Sequence, residues 1–334
     1  MIQIGVVGAG YWGPNLVRNF NEISDANIKF IADKLPGRRE FIQEKFPEIQ
    51  VVEDADIIIN DNDISMVVIA TPVSSHFDLA EKSLQAGKHV FIEKPFVNSV
   101  EKGEALLEIA EKKSLKIGVG HIFTFHPAIE HIHDFINTTE GFKIKYFVSN
   151  RANLRPPKTG HDVVWDLAVH DFSIINYLFN EFPVSVYTVA CDCSCKGLND
   201  MAVIILKYPN NKKAIVHVNW HTPNKIRKFE LYGSEWSIFF DDMAEQKVQM
   251  FDEGIDTRIG ADDKSSAKFE YKPGVVLKPE IRNAQPLFEE CRSFVDHIRN
   301  GGPYRNNGLQ GLWAVKMCEF AKESARQGKE VFFG

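Results

Sequence analysis

The stretch IQIGVVGAGYWGPNLVRNFNEI near the N-terminus constrains this chain more than any other. Residues 2–7 have the pattern of a short buried strand, and GAGYWG follows at once, with Gly8, Gly10 and Gly13 at G-x-G-x-x-G spacing. PNLVRNFNEI then reads as a helix whose Pro14 is tolerated in the first turn. A second apolar strand, NIKFIAD, ends in Asp33. Strand, glycines, helix, strand and acid in this order fit a dinucleotide-binding turn. Gly8 permits the tight turn, Gly10 lets the backbone approach a pyrophosphate, and Gly13 allows close helix–strand packing. The helix N-terminus holds phosphates by its N–H groups and dipole, and Asp33 stands where a carboxylate accepts from the adenosine ribose 2′-OH. Tyr11 and Trp12, inside the loop, join the cofactor-binding candidates. A glycine turn in a flavodoxin-like domain without dinucleotide is the alternative, and the acid at the second strand's end weighs against it. Asp33 favours NAD, because a carboxylate repels a 2′-phosphate. Lys34 and Arg38 follow closely and leave NADP open.

The alternation continues with strand SMVVIATP, helix SSHFDLAEKSLQAG closed by Gly87, strand KHVFIEKPF, helix NSVEKGEALLEIAEKK with Asn98 as N-cap and Glu101 three residues on, and strand LKIGVGH. Strands alternating with helices across short loops predict an α/β fold with a parallel, doubly wound sheet, a Rossmann domain over residues 1–120. Ligands bind such sheets at the carboxyl ends of the strands. There the sequence places the glycine loop, Asp33, Thr71-Pro72 with His76 just beyond, and Glu93-Lys94-Pro95. A lysine at a strand end is ordinarily a solvated charge, but beside an expected nicotinamide Lys94 becomes a candidate for catalysis. Pro95 restricts it to extended geometry.

From about residue 121 the pattern changes. Helix HPAIEHIHDFI and strand KIKYFVSNRANL lead through the loop RPPKTG into HDVVWDLAVHDFSIINYLF. Successive strand patterns follow, VSVYTVACDC, MAVIILKY, KAIVHVNW, RKFELYG, WSIFFDD and KVQMFD, then two amphipathic helices. Short connections between consecutive strands predict an open, mainly antiparallel sheet in a second, α+β domain over 121–334, for substrate binding and oligomerisation.

The 334 residues carry 44% apolar and 25% charged side chains, ample for two soluble domains. No apolar run approaches the roughly 20 residues of a membrane span. The first residues read as a strand and not an export signal, so a cytoplasmic location is expected. A net charge of −6 without a long basic run gives no support for a nucleic-acid partner. Five cysteines are an odd count for a secreted disulfide framework. Three lie in CDCSC, where strand alternation would put Cys191, Cys193 and Cys195 on one face. Zinc sites usually use C-x₂₋₄-C spacing with ligands from two segments, so these read as reduced strand cysteines and no metal is expected. His131 and His133 of HIH fall on different faces of a helix and read as solvated surface.

WDLAVHD places Asp166 and His170 four positions apart in an apolar run, costly to bury without partners. EKP at the end of a Rossmann strand, WDLAVHD opening a helix and a C-terminal antiparallel sheet together resemble the Gfo/Idh/MocA oxidoreductases, two-domain NAD(P)-dependent enzymes acting on sugars and cyclitols. The similarity runs from GAGYWGPNLVRNF through GHIFTFHPAI, NWHTPNKIRKFELYGS and PLFEECRSFVDHI to the last helix. GYWGPN, WDLAVHD and WHTPNKIR look closer to the nucleotide-sugar branch, the UDP-N-acetylglucosaminuronate 3-dehydrogenase type. The resemblance implies that Lys94, Asp166 and His170 flank the reacting carbinol, that the Lys94–Pro95 peptide is cis, and that the chain forms a homodimer or homotetramer. Arg155 stands where the branch often has glycine, and Thr124 where arginine is common, so the substrate is the open point.

Oxidising a secondary alcohol with NAD requires a base near its working pH, and His170 fits. Asp166, one helical turn earlier on the same face, orients the sugar or adjusts neighbouring charge, and Lys94 donates to the reacting oxygen. Asn153, Arg155 and Lys158 lie just upstream, as binders of a phosphate or carboxylate or as a solvated loop. The function read from all this is NAD-dependent oxidation of a sugar secondary alcohol, at carbon 3 of a UDP-linked N-acetyl sugar, in surface-polysaccharide synthesis. Alternatives are a keto-sugar reductase, an inositol-type dehydrogenase, or, from another class, a non-catalytic dinucleotide-binding sensor.

Overall fold

The computed structural model describes residues 1–155, 162–194, 197–252, 254–258 and 268–334. Lys158 and Cys195 lie outside these residues. The chain forms two compact units, one of residues 1–126, 172–177 and 284–319, the other of residues 127–171, 178–283 and 320–334. The single cut expected near residue 120 therefore misses two segments, 172–177 and 284–319, that return to the first unit. The reason is burial: the helix Pro286–Asn300 carries an apolar stripe that only the first unit's core covers.

Six strands build the first unit's sheet: β1 (Ile2–Val7), β2 (Ala26–Ala32), β3 (Gln50–Val52), β4 (Met66–Ile69), β5 (His89–Glu93) and β6 (Ile117–Gly120). They run parallel in the order β3-β2-β1-β4-β5-β6. The order reverses between β1 and β4, which makes the loops after these two strands the switch point where such sheets take ligands. Helices α1 (Gly13–Asn21), α2 (Pro36–Lys45), α3 (Ala55–Ile59), α4 (His76–Gln85) and α5 (Val100–Lys112) make the crossovers. The N-cap of α5 is Ser99, not Asn98: its backbone is extended and its hydroxyl accepts from the Lys102 amide at 3.4 Å, leaving Asn98 one residue too early. In α1, Leu16, Val17 and Phe20 recur at helical spacing and are buried against Ile4, Val6 and Phe91. Phe91 also meets Phe294 of the returning helix, at 5.6 Å between ring centres. Each such ring, fully buried, contributes roughly 2 kcal/mol through removal from water.

The second unit opens with α6 (Pro127–Thr138), where His131 and His133 are each partly exposed. A π-helical turn, Val164–Ala168, runs directly into α7 (Val169–Phe179). Its strands, with β numbering continued, are β7 (Tyr146–Ala152), β8 (Ser185–Cys191), β9 (Met201–Lys207), β10 (Lys213–Asn219), β11 (Ile226–Tyr232), β12 (Ser237–Asp241), β13 (Val248–Phe251), β14 (Gly254–Arg258), β15 (Lys268–Lys272), β16 (Val276–Leu277) and β17 (Val331–Phe332). Among the described residues nine of them form one sheet, β16-β13-β12-β11-β7-β10-β9-β8-β17, and β14 pairs with β15 apart from it. Neighbours in the nine-stranded sheet are antiparallel except β7 and β10, which run parallel. Alternation is clear in β9, where Ala202, Ile204 and Leu206 are buried and Val203 and Ile205 only partly so. One face of the sheet is thus core and the other is open. The remaining helices, α8 (Pro286–Asn300) and α9 (Gly308–Gln327), follow. The strand carrying Cys191 ends at that residue, and Cys193 lies in the turn beyond it, so the expected cysteine-lined strand face does not form.

Candidate active site

The sequence candidates fall into two sets, one in each unit. In the first unit, the loop after β1 is compressed against the end of β4. A Cβ on Gly8, whose φ is +102°, would lie 2.7 Å from the Ala70 carbonyl oxygen, and one on Gly13 would lie 2.2 Å from the Gly8 carbonyl oxygen. Only glycine lets α1 start this close to the strand, and that closeness aims the helix N-terminus at the loop. Around Gly10 there is space, with Arg38 Nη1 the nearest group, 3.7 Å from where a Cβ would stand. Trp12 at the N-cap of α1 supplies no side-chain acceptor, which leaves the N–H groups ahead of the first helical bond to an anion. Tyr11 is exposed, while Trp12 packs partly on the core beneath.

Asp33, buried at the end of β2, accepts from the Ala9 amide at 2.8 Å and from the Leu35 amide at 2.9 Å. Its carboxylate is thereby locked beside the glycine loop, and each oxygen retains lone-pair capacity for a ribose hydroxyl. Arg38 Nη1 lies 3.4 Å from Asp33 Oδ2, and Lys34 is exposed. These residues fit NAD: backbone donors for the pyrophosphate and a fixed acid for the ribose. Thr71 and Pro72 follow β4, where Ser75 Oγ donates to Thr71 Oγ1 at 2.8 Å. His76 is buried, with Nε2 2.8 Å from the Thr71 carbonyl oxygen and Nδ1 3.0 Å from that of Pro95. Its position makes it a brace between two strand-end loops.

β5 delivers Glu93 and then Lys94, whose peptide to Pro95 is cis. Glu93 is buried and its Oε2 accepts from the Lys94 amide at 3.1 Å. Burial pushes its carboxyl up to about 7, against the pull of the Lys94 charge. His121, also buried, is driven down to about 3 by burial and by the same lysine, so its imidazole is neutral at physiological pH. Glu290 of α8 is fully buried, and burial together with Glu93 holds its carboxyl well above the usual range. Asn306 links these groups: its Nδ2 donates to Glu290 Oε1 at 2.8 Å and to the His121 carbonyl at 3.0 Å, and its Oδ1 accepts from Thr124 Oγ1 at 2.8 Å. Arg305 Nη1 donates to the Thr124 carbonyl, and its guanidinium lies 4.3 Å from the centre of the Phe125 ring. The sequence reading missed Glu290, His121, Asn306 and Arg305. One signal was present: Glu290 occupies a core-facing step of an otherwise apolar stripe, between Leu287 and Phe294.

In the second unit, Asp166 lies in the π-helical turn and His170 is the second residue of α7. The plain α-helical turn expected between them is therefore replaced by a wider one, a feature that recurs at functional sites. Asp166 is buried, and its Oδ2 accepts from Arg155 Nη1 at 2.7 Å and from Trp220 Nε1 at 3.2 Å. The backbone aligns these partners, the Arg155 amide donating to the Trp220 carbonyl and the Asn153 amide to that of Asn219. So Asn153, Arg155 and Asp166 come together, and the indole of Trp220 is a partner that the sequence did not announce. His170 is half-buried. Its neighbour Asp171 makes a buried fork with Arg151, at 2.8 and 3.3 Å. That pair fixes the start of α7 against β7.

Known proteins resemble both the N-terminal and the C-terminal part of this chain. Residues 2–121 match the model described as "Oxidoreductase family, NAD-binding Rossmann fold", and residues 138–239 match the Gfo/Idh/MocA C-terminal domain. The inositol 2-dehydrogenase of Rhizobium meliloti is 24% identical over 99% of this chain and 98% of its own. The UDP-N-acetylglucosamine 3-dehydrogenase of Acidithiobacillus ferrooxidans is 31% identical over 56% of this chain and 58% of its own. Among solved structures, GenD2 from gentamicin A biosynthesis in complex with NAD superposes with a TM-score of 0.83 at 20% identity, covering 99% of this chain and 96% of that one. With an NAD-binding Rossmann unit and the matching C-terminal domain on one polypeptide, the chain belongs to the Gfo/Idh/MocA oxidoreductase family and is an NAD-dependent dehydrogenase of the sugar and polyol class.

Proposed function

We propose that the enzyme oxidises a secondary alcohol at carbon 3 of an acidic, UDP-linked N-acetyl sugar. Bound NAD+ supplies the hydride acceptor. His170 takes the hydroxyl proton, Lys94 donates a hydrogen bond to the oxygen as its charge develops, and Asp166 orients the sugar. The observation that carries the substrate class is the Arg155–Asp166–Trp220 cluster. A buried carboxylate held by an indole N–H is already partnered, so the half-exposed guanidinium of Arg155 has capacity left for a phosphate or uronate oxygen. The nucleotide-sugar dehydrogenase among the relatives supports the same reading. A cyclitol substrate is the second reading, favoured by the full-length similarity to an inositol dehydrogenase. The experiment is NAD+ reduction, followed by NADH absorbance, with UDP-N-acetylglucosaminuronate, UDP-N-acetylglucosamine, myo-inositol and scyllo-inositol. Turnover confined to the UDP sugars supports the proposal, and turnover confined to inositols replaces it with the second reading. No turnover on any of the four favours the dinucleotide-binding sensor.

The open sheet face supports a homo-oligomer. Tyr187, Ile205, Ile215, Val148, Glu230 and Phe239 lie in one cross-strand row on that face and are all partly exposed. A second copy of this chain would cover them.

A further inference from the structure

The turn after β8 gathers donors that the dehydrogenase chemistry does not use. One ligand atom each from Cys193, Asp200 and His221 lie within 4.8 Å of one another. Cys191 Sγ is 3.2 Å from Cys193 Sγ, and His221 Nε2 is 3.0 Å from Asp200 Oδ1. Asp200 is buried and held rigidly, because its carboxylate accepts from the Cys193 and Ser194 amides at 2.9 Å each. Both cysteines are exposed at the mouth of the cluster and unbridged. The donors come from two separate segments, the turn between β8 and β9 and the residues just past β10.

We propose that Cys193, Asp200 and His221, with Cys191 as the fourth donor, form a binding site for a zinc-class divalent cation. Thiolate, imidazole and carboxylate together are the ligand set of four-coordinate zinc, whose bond lengths put donor atoms roughly 3–4 Å apart around one ion. The spacings here need only side-chain rotation to meet that. Binding displaces the thiol protons and leaves the two sulfurs unoxidised, so no redox partner enters. The ion would take the place of the proton between His221 and Asp200.

The consequence is structural and local. Asp200 donates its amide to the Cys191 carbonyl and accepts from the Trp220 amide at 3.0 Å through its own carbonyl. Trp220 in turn donates to Asp166. A cation in the cluster therefore pins the β8–β9 turn to the end of β10, directly beside the indole that holds the Asp166 carboxylate.

Cobalt(II) titration of the full, reduced chain tests this. One equivalent is expected to give the thiolate-to-cobalt charge-transfer band and the intense visible bands of a tetrahedral site, both lost on adding zinc. Cys191→Ser combined with Cys193→Ser should abolish the charge-transfer band, and His221→Gln should weaken binding at least tenfold. All three residues are exposed, so circular dichroism is expected to show the fold unchanged in each variant. Asp200 is left alone because it organises the turn. Absence of the band with free thiols confirmed by titration overturns the proposal. So does a band that survives both substitutions, or recovery of a Cys191–Cys193 disulfide from protein kept in reductant.

Discussion

Replacing Glu93 with glutamine tests how the first unit treats a charge it has buried. The carboxyl ordinarily titrates near 4.5 and is pushed up to about 7 here, chiefly by burial. Each tenfold step is worth about 1.4 kcal/mol, so ionising Glu93 inside the folded protein costs about 3 kcal/mol more than in the unfolded chain. The unfolded chain releases its proton around pH 4.5, while the folded one keeps it until about pH 7. In that window the native state binds the extra proton, so stability falls as pH rises and levels off above about 7. Glutamine carries no charge at any pH, offers the same carbonyl oxygen to the Lys94 amide, and relieves Glu290 of a repelling neighbour. Urea unfolding of wild type and Glu93→Gln, across about pH 4 to 8, reads the difference directly. The variant should gain on wild type by about 3 kcal/mol between the two ends of that range. A stability gap that stays constant with pH, or that closes as pH rises, would refute the reasoning.

Other expectations are specific to single contacts. Lys94→Met and His170→Asn should each abolish turnover while fluorescence titration shows NADH binding within a few-fold of wild type. Undiminished turnover in either would remove that residue from the mechanism. Gly13→Ala puts a methyl 2.2 Å from the Gly8 carbonyl, a backbone atom that cannot step aside. The strain should cost about 1–3 kcal/mol in thermal unfolding and weaken NAD binding most of all. Trp220→Phe keeps an aromatic side chain but removes the donor to Asp166, a bond to a charged group worth about 1.5–3 kcal/mol. The expected result is a fall in kcat/KM of at least tenfold with an unchanged NADH affinity, and an unaltered kcat/KM would contradict that role for the indole.

Much of the first unit was legible because its signals are local. The glycine loop, Asp33 and Lys94 each declare themselves within a few residues of the strand that positions them, and the parallel order follows from the alternation. Trp220 and Asp166 are 54 positions apart, and Asn306 and His121 are 185 apart. No periodicity links such pairs. The π-helical turn at Asp166 also leaves no trace in residue types, since WDLAV would suit an α-helix equally well. The cysteine run misled for the opposite reason: alternation presumed a strand that in fact stops at Cys191, and the acid and histidine beside it come from beyond the run. Asn98 failed as a cap by a single position, with a serine next door that serves as well.

The return of α8 to the first unit has a consequence for how the polypeptide is made. All six strands of that unit have been synthesised by residue 120, yet one of the two rings that pack on Phe91, Phe294, comes far later than the other, Phe20. Until the ribosome has added the chain between residues 126 and 284, Phe20, Phe91 and their neighbours lack part of their cover. The nascent Rossmann sheet must therefore wait with an incomplete core, and a fragment cut at residue 126 would carry that exposed apolar surface permanently.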